Sequence, residues 1–178
     1  MTNGSTQQAT AFSTFALDGV RATLWIGGQN HFPNQPPDTA FIWLVVVDLT
    51  DLSVAASDVS DGTGLPNAIA GYLGNSQYFL YAISNAAWAQ NMPQGALYNA
   101  LQKVGAGAQL SRLEQIYGTI GTGILGNFSY ILAATMTQTD EPGFEALSMD
   151  HHTVLTMGFI PITINGQTIY APVQEGGF

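Results

Sequence analysis

Seven apolar residues run unbroken from Phe41 to Val47 within FIWLVVVDLT; three are valine and one is isoleucine. The run is too short for an ordinary helix, and its β-branched content favours an extended backbone. Successive side chains of a strand point to opposite faces, so a strand with no polar residue must be covered on both. Asp48 to Ser53 supplies turn residues, and Val54 to Val59 returns as a second strand. The rest of the chain has to wrap this pair.

A chain of 178 residues with 46% apolar content is long enough to do so as one domain. No apolar run approaches the roughly 20 residues that cross a bilayer as a helix, so membrane insertion is not expected. The start, MTNGSTQQAT, lacks the basic and apolar segments of a secretory signal, as expected of a chain not exported by that route, a mature form or an excised domain. The net charge of −9 argues against nucleic acid and anionic membrane surfaces as partners. Charged residues amount to only 8%, so Asn, Gln, Ser, Thr and Gly must cover the surface. Such neutral surfaces suit extracellular binding modules and the subunits of particles or fibres, and they insulate poorly against association. The absence of cysteine excludes disulfides and thiolate metal sites.

Along the chain, residues 1–10 read as a loose arm. Phe12 to Ile26 alternates around Asp18-Gly19, which predicts a hairpin. Gly27 to Thr39 reads as a long loop. A helix is predicted from Pro66, then a strand over Gln77 to Ser84, a loop over Asn85 to Asn91, and a helix from Pro93 to Gly105. Ala108 to Tyr117 predicts a third short helix and Phe128 to Met136 a further strand. Thr137 to Asp150 reads as an acidic loop. Thr153 to Ile160 is a strand, and Asn165-Gly166 marks a second hairpin. The fold class is α+β: two packed, mainly antiparallel sheets with two or three short helices alongside, residues 11–178 forming a single domain.

Catalytic signatures are weak. Gly121 to Gly126 spells GxGxxG, but with a helix before it and a strand after it, the reverse of a dinucleotide site. Asp150, His151 and His152 invite a metal or acid–base role; in an extended segment Asp150 and His152 share a face, two donors where zinc takes three or four. Asp140, Glu141 and Glu145 are candidate glycosidase carboxylates with nothing to fix their separation. Asp58 and Asp61-Gly62 lack the spacing of a calcium loop. No G-x-S-x-G occurs. No cofactor is expected, and the chain reads as a non-enzyme.

The stretch Ser84 to Gln94, SNAAWAQNMPQ, stands out. It joins a buried strand to a helix, where binding residues are often displayed. Trp88 offers a flat apolar face of the kind that stacks on sugars. Asn85, Gln90, Asn91 and Gln94 donate and accept hydrogen bonds, which suits hydroxyl groups. The alternative is that Trp88 plugs the core edge and the amides cap the following helix.

Several segments resemble, in order, the domain of the interleukin-like EMT inducer family. FIWLVVVDLTDLSVAASDV is similar to its opening hairpin, LPNAIAGYL to its first helix, and YFLYAISNAAW to its strand and following loop. GALYNALQKVGAGAQLSRLEQIY is similar to its second helix and beyond, and NFSYILAATM to its closing strand. The resemblance spans Thr39 to Met136. The chain departs from the family in having no cysteine and in carrying Asn85 where the family has aspartate. The resemblance implies two packed sheets with helices alongside and a module that binds without chemistry. A related domain forms the stem of a glycosyltransferase, where the implied ligand is a glycan. A glycan or a protein surface is therefore the expected partner. The main alternative is a homo-oligomeric structural subunit that assembles through its sheet edges; a glycan-active enzyme comes third.

Overall fold

The computed structural model describes residues 5–120, 126–137 and 142–177. In chain order the strands are β1 (Gln7–Ser13), β2 (Thr23–Ile26), β3 (Gln29–His31), β4 (Phe41–Asp48), β5 (Val54–Ser60), β6 (Tyr78–Asn85), β7 (Ala87–Trp88), β8 (Asn127–Thr135), β9 (Phe144–Ser148), β10 (Thr153–Ile164) and β11 (Gln167–Gly177). The helices are α1 (Asn67–Ala70), α2 (Gly95–Lys103) and α3 (Ala108–Ile120). Five strands form one sheet in the order β11-β10-β1-β2-β3. The other runs β5-β4-β6-β8, with β7 and β9 both paired to β8. The named strands pair antiparallel throughout.

The uninterrupted apolar run of β4 follows from its place in the middle layer of three. Its residues Ile42, Leu44 and Val46 share one core with Leu80, Leu132 and the helical Leu97, Leu101 and Leu113. The alternate residues Phe41, Trp43, Val45 and Val47 share a second core with Ala9, Ala11, Leu24, Leu155 and Phe159 of the five-stranded sheet. The order is therefore sheet, sheet, helices. Each fully buried side chain of this size contributes about 1.5–3 kcal/mol, so a charge anywhere from Ile42 to Val47 would break one of the two cores.

Elsewhere the boundaries differ from those the sequence suggests. β1 begins at Gln7, so residues 7–10 belong to the sheet and not to a loose arm. β1 and β2 do pair, but the connection runs from Thr14 to Ala22, so Asp18-Gly19 is no two-residue hairpin. Alternation alone misses this because Thr14 leaves the sheet to bridge Asn85. β3 lies inside the long loop expected over 27–39. β9 lies inside the expected acidic loop and pairs with β8 over Phe144 to Ser148. Pro66 is the residue before α1 and not its first. The Asn165-Gly166 hairpin is present, with positive φ at both residues (52° and 81°), as a two-residue type I′ turn requires.

Candidate functional site

Strand directions bring five connections to one end of the molecule. Phe41 at the start of β4 lies opposite Asn85 at the end of β6, and Ile42 lies opposite Ser60 at the end of β5. Ser129 near the start of β8 meets Ser148 at the end of β9, and Ser13 at the end of β1 meets Thr153 at the start of β10. The connections 14–22, 32–40, 61–66, 86–94 and 149–152 therefore share this end. Loops carried on a rigid scaffold are where binding groups are usually displayed.

Two buried amides lock these loops together. The Asn85 side chain is wholly buried. Its Nδ2 donates to the carbonyls of Pro37 (3.0 Å) and Thr39 (2.7 Å), and its Oδ1 accepts from Ala22 N (2.7 Å) and Thr14 Oγ1 (3.3 Å). Two donors and two acceptor sites are thus all used. Asn91 is 6% exposed; its Oδ1 accepts from Trp88 N (3.1 Å), and its Nδ2 donates to the carbonyls of Asp61 (3.0 Å) and Ala40 (3.4 Å). Gly62 packs so closely that a Cβ there would stand 2.5 Å from the Asn91 carbonyl oxygen. These geometries correct the expectation that Asn85 and Asn91 contact a ligand: both face inward, Asn85 with all four bonding positions used and Asn91 with three of four. Trp88 (46% exposed), Gln90 and Gln94 stand at the surface. Trp88 therefore does not plug the core edge.

A serine cluster supports the same corner. The β6–β8 ladder ends at Ile83 opposite Ile131. Beyond it, Tyr130 N donates to Ser84 Oγ (2.8 Å) and Ser13 Oγ (3.2 Å), and the two hydroxyls lie 2.8 Å apart. Ala86 N donates to the carbonyl of Thr14 (3.0 Å), so the end of β1 enters the central sheet. These hydroxyls satisfy backbone groups the parting strands would leave bare. The available signal was a serine closing each of two apolar runs, Ser13 and Ser84.

The surface at this end is concave beside β5. A depression of about 300 Å³ is lined by Ser60, Asp61, Gly64 and Leu65, and a second of about 150 Å³ by Asn34, Gln35, Ser57 and Asp58. Trp88 lines neither. Asp61 accepts from Thr63 N (2.9 Å) and Oγ1 (2.8 Å), and these bonds hold its carboxyl below the usual range.

The other candidates are engaged elsewhere. Glu145 Oε2 accepts from Gly107 N (3.0 Å) and Gln109 N (3.1 Å), and Oε1 accepts from Leu110 N (3.1 Å) and Tyr130 Oη (2.7 Å). It closes the start of α3. Asp150 pairs with His151 and accepts from Ser148 Oγ (2.8 Å), which lowers its pKa. His152 turns instead to Asp18, Nε2 to Oδ2 at 3.2 Å, while its Nδ1 accepts from Phe15 N (2.9 Å). Asp150 and His152 thus do not work as a pair. Among the described residues no group of three or more His, Asp or Glu is placed to hold a metal ion. Asp140, Glu141 and residues 121–125 of the GxGxxG stretch lie outside the described residues.

Compared with protein-family models and with curated protein sequences, the chain matches none.

Proposed function

We propose that the chain is a non-catalytic recognition module whose loop-bearing end binds a glycan. The observation that carries this reading is Trp88: nearly half exposed, on a backbone fixed by Asn91 and flanked by Gln90 and Gln94. An aromatic platform on a backbone that is already fixed loses less freedom on binding, and the exposed amides suit sugar hydroxyls. The resemblance to the interleukin-like EMT inducer family favours the same ligand class by analogy. The engagement of Glu145 in capping, with Ser148 only 7% exposed beside His151, favours binding over catalysis.

The test is thermal melting against a panel of neutral and acidic oligosaccharides. A ligand at about 100 times its Kd adds about 2.7 kcal/mol, or roughly 5–10 °C for a domain of this size. Trp88→Ala should melt normally and lose the shift. A panel without any shift, or a shift that survives Trp88→Ala, refutes the assignment. The alternative, a self-assembling subunit, draws on the outer face of the five-stranded sheet, which no other element covers among the described residues.

A further inference from the structure

Among the described residues, the eight large apolar side chains left exposed fall into two sets. Leu17, Val20, Phe32 and Trp88 belong to the loop-bearing end. Trp25, Ile160, Ile162 and Ile164 belong to the five-stranded sheet, on the face turned away from the core. Register fixes that placement. Leu155, Met157 and Phe159 are buried, so the even-numbered positions of β10 point outward. Thr156 lies opposite Thr10, and Thr10 opposite Trp25, which carries the outward face across β1 to β2. Phe12 and Val154 are an opposed pair on the same face. The helices pack on the other sheet, so this face has no covering layer among the described residues.

We propose that this outer face is the interface of a symmetric dimer with a second copy of the chain. Three observations select that occupant. First, the outward positions of β1, β2, β3 and β10, and of β11 from Gln167 to Val173, include no Asp, Glu, Lys or Arg. A partner chosen by charge finds nothing to pair with at these positions, whereas two chains of net charge −9 repel least across a face without charges. Apolar cores of this kind are characteristic of homodimers.

Second, the size is adequate. The strands of this sheet hold 7, 4, 3, 12 and 11 residues. At about 16 Å² of projected sheet per residue, the face measures roughly 600 Å² per copy, and a stable interface needs about 800 Å² of the larger accessible area. Third, among the described residues β1 pairs with β10 only as far as Phe159, and the pairing recorded for Ile160 to Ile164 is with β11. Tyr170 N anchors this hairpin to the Leu49 carbonyl (2.8 Å), but its three exposed isoleucines still gain most from being covered. Two such faces would pack as a sandwich, each patch meeting its own copy across a two-fold axis.

The test is molar mass by light scattering coupled to size exclusion. The wild type should give twice the 18.9 kDa of one chain. Ile162→Glu and, separately, Trp25→Glu should each halve that mass and leave the circular dichroism spectrum unchanged. A monomeric wild type overturns the proposal, as does a dimer that survives in a folded variant of either kind. Should one variant fail to fold, the other decides. Neither substitution touches the Trp88 loop, so the glycan-induced melting shift should persist in both monomers; this interface stands or falls apart from the ligand assignment.

Discussion

Glu145 offers the sharpest quantitative test, because one carboxylate serves four donors, three at the start of α3 and one on β8. The first turn of any helix leaves backbone N–H groups without internal partners. α3 begins at Ala108 after Gly107, with no Ser, Thr, Asp or Asn at hand to cap it. Glu145 reaches over from β9 and accepts from Gly107, Gln109 and Leu110. It also accepts from the Tyr130 hydroxyl, whose ring is wholly buried and whose pKa burial and the Glu145 charge push well above its ordinary value. Loss of an ordinary cap costs about 1 kcal/mol, and a buried hydroxyl left unpaired costs a further 1–3 kcal/mol. Bonds to a charged acceptor run higher, about 1.5–3 kcal/mol each, though four on one side chain do not add. Glu145→Ala should therefore cost about 3–5 kcal/mol, read as a lower urea midpoint at constant slope. Tyr130→Phe alone should cost about 1 kcal/mol, and the double variant should cost at least 1 kcal/mol less than the two singles together, because its orphaned hydroxyl is gone. A Glu145→Ala loss below about 1 kcal/mol, or strict additivity in the cycle, would refute the capping account.

Three further outcomes follow from local geometry. The Tyr81 hydroxyl is fully buried without a hydrogen-bond partner among the described residues, so Tyr81→Phe should stabilise the fold by about 1 kcal/mol; destabilisation would reveal a partner. Gly62 combines a φ of 113° with a backbone contact that forbids a Cβ, so Gly62→Ala should cost at least about 2 kcal/mol and disturb the Trp88 fluorescence through Asn91; a neutral result would show the two loops to be loosely joined. Burial works to raise the Asp48 carboxyl, but hydrogen bonds from Thr50 N and Oγ1 and from Gln77 outweigh it and hold the group below its ordinary value. A depressed carboxyl stabilises the fold above its unfolded pKa, about 3.9, and loses that contribution as pH falls through the lower folded value. Melting temperature should thus drop below about pH 4, and Asp48→Asn should flatten that acid limb; an identical limb would exonerate Asp48.

How far the sequence could be read depends on whether a residue's meaning is local. β4 was legible because an unbroken apolar run has one physical remedy, cover on both faces, and the sheet on one side and helices on the other supply it. The Asn165-Gly166 turn was legible because its two residues carry the required backbone angles themselves. Asn85 was not, since its four partners lie in segments between 46 and 71 residues away. Yet parity held a clue. Phe79, Tyr81 and Ile83 face the five-stranded sheet, and two residues on Asn85 must point the same way, inward. Trp88, beyond the positive φ of Ala86 that breaks the alternation, is released to the surface. Glu145 follows the same rule once β9 is recognised, for it lies opposite Leu132 on the helix side. The stretch that looked like one polar binding loop is thus two kinds of residue. Asn85 and Asn91 make the scaffold rigid, and Trp88, Gln90 and Gln94 are what a ligand could meet. A binding assay on Asn85 or Asn91 variants would report on loop order, whereas one on Trp88 isolates contact.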